Sequence, residues 1–317
     1  MNMSPFKSNL RAWIEIQELP KHIAVVFRIA LGGVLAWWAT GIFSWPVFLI
    51  TLISVFFIAN GAFISNEYFD YETDRINLGR LGGRRQGLTS TGGTRVLVEG
   101  LIPLRHALLA SLLFFLLAAP LGLMLQFHFN TGPLTIPLGA AGMLIGWFYT
   151  APPIQAAYRG LGEIFMMAGY GLLIITIYYT QAGLSWLPVA VASTQFAAVP
   201  AIKLLRAFPD AEADAAAGKR TLAVIFGRER MSRVYIVLMA AAILLFIPTF
   251  LITRSPWAAL NLGPALYLGW SLVPMLNGRW RTRQGLELAC RQGFLGLMLS
   301  PLTLSLTFLM DGLTNSA

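Results

Sequence analysis

Apolar residues run in long blocks along this chain, separated by polar stretches. The blocks lie near residues 23–43, 45–65, 106–127, 134–150, 162–182, 185–205, 232–252, 256–276 and 292–311. Most reach the roughly 20 residues a helix needs to cross a bilayer, and the fourth is the shortest. The pattern predicts nine transmembrane helices. Ahead of them, residues 1–22 mix Lys7, Arg11, Glu15, Glu18 and Lys21 with apolar positions. That mixture predicts an amphipathic helix lying on the membrane with Trp13 and Ile14 toward lipid, and it lacks the cleavage-like sequence of a secretory signal.

Composition agrees with a polytopic membrane protein. Of 317 residues, 56% are hydrophobic and 12% charged, and mean hydropathy is +0.67, too apolar for a soluble domain and too long for one anchor. The net charge of +9 would suit nucleic acid in a soluble protein, but in a membrane protein the placement of charge matters more, and no nucleic-acid partner is expected. With a cytoplasmic N-terminus, nine spans put every Lys and Arg except Arg254, and every acid except Asp311, at or near the cytoplasmic side. Two long inner loops, about 66–105 and 206–231, hold most of it, so chemistry is expected on that face. Cys290 and three scattered histidines exclude an internal disulfide framework and a Cys-rich or His-spaced metal site. The expected fold is a single all-α membrane bundle over residues 1–317, with two pseudo-repeated halves around a central cavity.

Two polar patterns interrupt the apolar text. In "ISNEYFDYETD" (64–74), Asn66, Asp70 and Asp74 recur every fourth residue as the second span leaves the membrane, with Glu67 flanking them. Like charges at that spacing repel, which calls for positive charge nearby. The sixth span ends in "LLRAFPDAEADAAAGKRTLAV", where Asp210 and Asp214 repeat the interval, and Pro209 and Gly218 are placed to start and stop a short helix. Two rows of carboxylate oxygens plus one amide oxygen suit magnesium, which keeps waters and shares its coordination sphere with substrate phosphates. Lys21, Arg28, Arg84, Arg85, Lys203, Arg206, Lys219 and Arg220 lie around them in the sequence and are candidates to hold a diphosphate. The competing reading makes these loop charges that only balance each other.

The two acidic stretches resemble the paired motifs of the UbiA superfamily of intramembrane prenyltransferases. Order, spacing and the nine expected spans agree with it, and "STGGTRVLVEG" (90–100), "YTAPPIQAAYRGLGE" (149–163) and "DAAAGKRTLAVIFG" (214–227) are most similar to the 1,4-dihydroxy-2-naphthoate polyprenyltransferases of menaquinone synthesis. The resemblance implies that Asn66, Asp70, Asp74, Asp210 and Asp214 bind two magnesium ions that bridge the diphosphate of a polyprenyl donor. It also implies attack by an electron-rich aromatic ring on the allylic carbon, with loss of the ring carboxylate as carbon dioxide in the naphthoate subgroup. Tyr149, Tyr158, Arg159 and Glu163 become acceptor-site candidates, Arg159 for a carboxylate and Tyr149 for the ring or a hydroxyl, although Tyr and Arg at a membrane boundary are also ordinary anchors. Two departures stand out: Glu67 replaces a usual Asp, and Pro209 stands where a polar or basic residue is common.

Other readings stay open at this stage. The same chemistry on 4-hydroxybenzoate, homogentisate, chlorophyllide or a lipid fits the motifs, whereas protoheme farnesyltransferases fit less well. A cation-coupled transporter would carry its acids near mid-bilayer, not where spans exit. CDP-alcohol phosphotransferases begin their signature with Asp-Gly-x-x-Ala-Arg, which this chain lacks.

Overall fold

The structure is a computed structural model that describes residues 5–76 and 93–315. Among the described residues it is all helix, with no strand. A short α1 (Pro5–Ile16) precedes α2 (Leu19–Thr40) and α3 (Trp45–Phe69), which passes into α4 (Tyr71–Ile76). The backbone bonds Asp70 N–H to Asn66 C=O (2.9 Å) and Asp74 N–H to Asp70 C=O (2.8 Å) carry the helical register across that junction. Asn66, Asp70 and Asp74 therefore share one face, as their spacing predicts.

Then come α5 (Leu104–Leu123), continued by a π-helical turn at Met124–His128, α6 (Thr135–Phe148) and α7 (Gly162–Ala182). Beyond them lie α8 (Leu187–Val191), α9 (Ser193–Arg206), α10 (Ala211–Ala216), α11 (Leu222–Phe226), α12 (Arg228–Leu244), α13 (Ile247–Thr253), α14 (Leu262–Leu276) and α15 (Arg283–Asn315). Among the described residues seven segments are long and apolar enough to cross a membrane: Lys21–Thr40, Trp45–Phe69, Leu104–His128, Gly162–Ala182, Arg228–Thr253, Pro256–Leu276 and Arg283–Asn315. Two expected spans fall short of that length. The fourth is α6, with 14 residues, and the sixth is divided at Ala192 into α8 and α9.

Around the bundle α2 packs on α7 and α15, α7 on α9, α9 on α12, and α14 along α15, while α3 packs on α5 and α6. Polar side chains tie these helices where water is scarce, which favours internal partners. Trp38 donates to Asp311 (2.8 Å) between α2 and α15, and Tyr235 donates to Ser271 (2.7 Å) between α12 and α14.

The N-terminal helix packs on protein along one face. Ala12 and Ile16 are buried against Ile64, Val96, Leu97 and Ala107, and Trp13 packs against the same cluster. Ile14, half exposed, borders the mouth of the central cavity together with Leu10, Arg11 and Glu15. The packing follows from the segment 93–102, whose Val96, Leu97 and Ile102 offer α1 an apolar bed made of protein.

Candidate active site

A cavity of about 1350 Å³ runs between α2, α3, α6, α7, α9 and α15. Its deep walls are apolar, with Val55, Ile58, Leu138, Leu172, Phe294 and Met298 among them, and its mouth is charged. Asn66 from the end of α3, Asp70 at its junction with α4, Asp74 from α4, and Asp210 and Asp214 from the start and body of α10 all line it. Two stretches distant in sequence thus meet at one opening.

Local structure explains how α10 delivers its residues. Asp214 N–H bonds to Asp210 C=O (2.7 Å), setting both acids on one face one turn apart. The helix then stops at Gly218, whose φ of +75° a side chain would strain. Gly218 N–H bonds to Ala215 C=O (3.1 Å) and Lys219 N–H to Asp214 C=O (2.8 Å), the paired bonds of a Schellman stop. This turn sends Lys219 back into the cavity, where its ammonium donates to Asp70 Oδ1 (3.1 Å). The two motifs are joined by that bond.

Tyr158 completes the group around Asp70. Its hydroxyl donates to the same Oδ1 (2.5 Å), and Lys219 lies over its ring at 4.6 Å. Burial first, and then the negative charge of Asp70, push the phenol pKa up, so the hydroxyl stays protonated and remains a donor. Asn66 accepts from Thr150 Oγ1 (2.8 Å) through its amide oxygen.

The other basic candidates divide. Lys21, Lys203 and Arg206 line the cavity with Lys219; Lys21 also pairs with Glu18, and Lys203 faces Tyr149, Glu163 and Asp214. Tyr149 lines the cavity and Glu163 is buried beside it. Arg28 does not line the cavity. Fully buried, it donates to Ala24 C=O (2.7 Å) and Gln195 Oε1 (2.6 Å) and stacks on Tyr170 at 4.1 Å, since a guanidinium inside the bundle takes the nearest acceptors. Arg159 and Arg220 are exposed and outside the cavity lining, since the turn around Tyr158 points them to solvent. Arg84 and Arg85 lie outside the described residues. Sequence reasoning missed Thr94, Arg95 and the α1 residues Arg11 and Glu15, all on the cavity wall. The charges spaced along α1 were the available signal for the last two.

Among the described residues no three His, Cys, Asp or Glu side chains gather closely enough to cage an ion. The donor set nonetheless fits magnesium: every candidate ligand is an oxygen, and this ion commonly takes one or two carboxylates and completes its shell with waters and substrate phosphates. Asp74 and Asp214 are buried, and buried carboxylates call for compensating positive charge.

The profile of the UbiA prenyltransferase family matches residues 25–285. The chain belongs to this family. It is an integral, multi-pass membrane prenyltransferase, which sets aside the transporter reading. A 2-carboxy-1,4-naphthoquinone phytyltransferase of Synechocystis sp. is 27% identical over 79% of this chain and 77% of its own length. A 1,4-dihydroxy-2-naphthoate octaprenyltransferase of Mycobacterium tuberculosis is 28% identical over 83% and 84%. Among solved structures, a UbiA homolog from Archaeoglobus fulgidus bound to GPP and Mg2+ superposes with a TM-score of 0.67 at 19% identity, covering 96% of this chain and 98% of that one. The UbiA fold is shared at that level.

Proposed function

We propose that this enzyme transfers a polyprenyl group from an allylic diphosphate to 1,4-dihydroxy-2-naphthoate in menaquinone biosynthesis, with magnesium at the acidic mouth. The observation that carries the reading is the meeting of Asp70, Asp74, Asp210 and Asp214 at the charged end of one otherwise apolar cavity. The Synechocystis and M. tuberculosis relatives, named for naphthoate-type rings, support the acceptor, and the A. fulgidus homolog with GPP and Mg2+ supports the metal. Bound there by Asn66 and the four aspartates, as two ions in this reading, magnesium would neutralise the charge that grows on the departing diphosphate.

The chain's own groups do the rest. Lys21, Lys203, Arg206 and Lys219 hold the phosphate oxygens that the acids alone would repel. The apolar walls keep water from the allylic carbon as its bond to oxygen lengthens. Tyr149, beside Lys203, orients the aromatic ring. The whole chain works as one catalytic domain. It crosses the bilayer nine times in two pseudo-repeated halves, counting α6 and the α8–α9 pair, with the N-terminus and mouth cytoplasmic.

The test is a panel of aromatic acceptors assayed with one radiolabelled prenyl diphosphate in membranes, with and without EDTA. Naphthoate should be prenylated only with magnesium present, and Asp70→Ala or Asp210→Ala should abolish turnover without loss of the folded protein. Equal turnover of 4-hydroxybenzoate would overturn the acceptor, and full activity in both variants would overturn the metal site.

A further inference from the structure

Glu67 stands where the family pattern has a metal-binding type of residue, yet its carboxylate is turned to the chain. Both of its oxygens accept from Thr94 N–H at 3.0 Å, and Oε2 also accepts from Thr94 Oγ1 at 2.8 Å. The side chain is buried, with Lys21, Glu18 and Asp74 as its charged neighbours. At residue 93 a side chain could enter only by displacing the two carboxylates from where they lie. A Cβ there would collide with Glu67 Oε1 and stand 2.7 Å from Asp74 Oδ2. The backbone of Gly93–Thr94 is thus wedged against the last turn of the first acidic row. Just beyond it, Val96 and Leu97 form the bed on which α1 rests.

We propose that Glu67 is a positioning residue, a clamp that holds the Gly93–Thr94 backbone against α3 and so sets Asp74 at the cavity mouth, and that it is not itself a metal ligand. The extra methylene is what makes this possible. An aspartate at 67 is shorter by about 1.5 Å, one carbon–carbon bond, and falls short of Thr94. The departure from the usual Asp thereby acquires a purpose. The proposal rests on the reading of Asp70, Asp74, Asp210 and Asp214 as the metal-binding mouth.

Clamp and ligand predict opposite rankings of two conservative variants. A clamp needs length and an acceptor oxygen, which Glu67→Gln keeps and Glu67→Asp loses. A carboxylate ligand binds the cation mainly through its charge, which Glu67→Asp keeps and Glu67→Gln loses. We expect Glu67→Gln to retain activity within about threefold, and Glu67→Asp and Thr94→Val each to lose about tenfold, the scale of hydrogen bonds to a charged group. The double variant Glu67→Asp/Thr94→Val should be no worse than either single one. Two readouts separate this from activity: the Thr94 amide should lose hydrogen-exchange protection in Glu67→Asp but keep it in Glu67→Gln, and Mn2+ bound with inorganic pyrophosphate, counted by EPR, should be unchanged in Glu67→Gln. The reverse ranking, or loss of bound Mn2+ in Glu67→Gln, would overturn the clamp. Failure of Asp70→Ala to reduce Mn2+ binding would instead overturn the reading of the mouth.

Discussion

Asp70 receives two donors on one oxygen: Tyr158 and Lys219 both address Oδ1, so a cation drawn to this carboxylate would meet Oδ2. Removing the Tyr158 hydroxyl frees Oδ1 to rotate and compete. Tyr158→Phe should therefore lower kcat/KM about tenfold, measured as initial rates at saturating magnesium. Because burial and Asp70 raise the phenol pKa, the protonated donor persists as pH rises past the ordinary tyrosine value. Wild type and Tyr158→Phe should then show parallel pH profiles through the neutral range; a difference growing with pH there would mean that the phenol titrates. Arg28 carries a different expectation. Gln195→Leu strips its side-chain partner from a buried guanidinium and should cost about 3–5 kcal/mol in thermal unfolding, whereas Arg28→Met/Gln195→Leu removes the charge as well and should recover most of that loss.

At the scale of elements, sequence spacing was enough where backbone geometry alone decides. Asn66, Asp70 and Asp74 share a face because four residues make about one helical turn, and Gly218 stops α10 because a left-handed residue there is cheap only for glycine. It was not enough where tertiary partners decide. The amphipathicity of α1 gives no sign of the protein bed that Val96 and Leu97 make beneath Ala12 and Ile16. Arg28 reads as a phosphate ligand from its position near the mouth in sequence, but Gln195, from a helix far along the chain, claims it. The place of α1 gives a direct prediction. Deleting residues 1–16 should leave the protein in the membrane but unroof the cavity, so a cysteine placed at Ile58 in a Cys290→Ala background should label faster with a water-soluble maleimide. Unchanged labelling would show that α1 does not cover the cavity.

At the scale of the whole molecule, the nine-crossing proposal must explain how two helices too short to span alone leave both acidic rows at one end. A 14-residue helix rises about 21 Å against a hydrocarbon core of about 30 Å. The ends of α6 are nevertheless fixed near opposite ends of α7: Leu134 N–H bonds to Tyr179 Oη (3.0 Å) by the C-terminal turn of α7, and Tyr149 sits beside Glu163 in its first turn. α6 therefore runs alongside α7, and the segment 149–158, which exposes Pro152, Pro153 and Ile154 and ends in a 3-10 turn at Ala156–Tyr158, is tied back to Asp70 through the Tyr158 hydroxyl. Alkaline phosphatase, active only outside the cytoplasm, tests this. Fused after Asn130 or Gly183 it should be active, and after Gly160 or Gly218 inactive. If α6 turned back within the membrane, fusions after Asn130 and Gly160 would report the same side, Tyr158 could not remain next to Asp70, and the shared mouth on which the proposed chemistry depends would be divided.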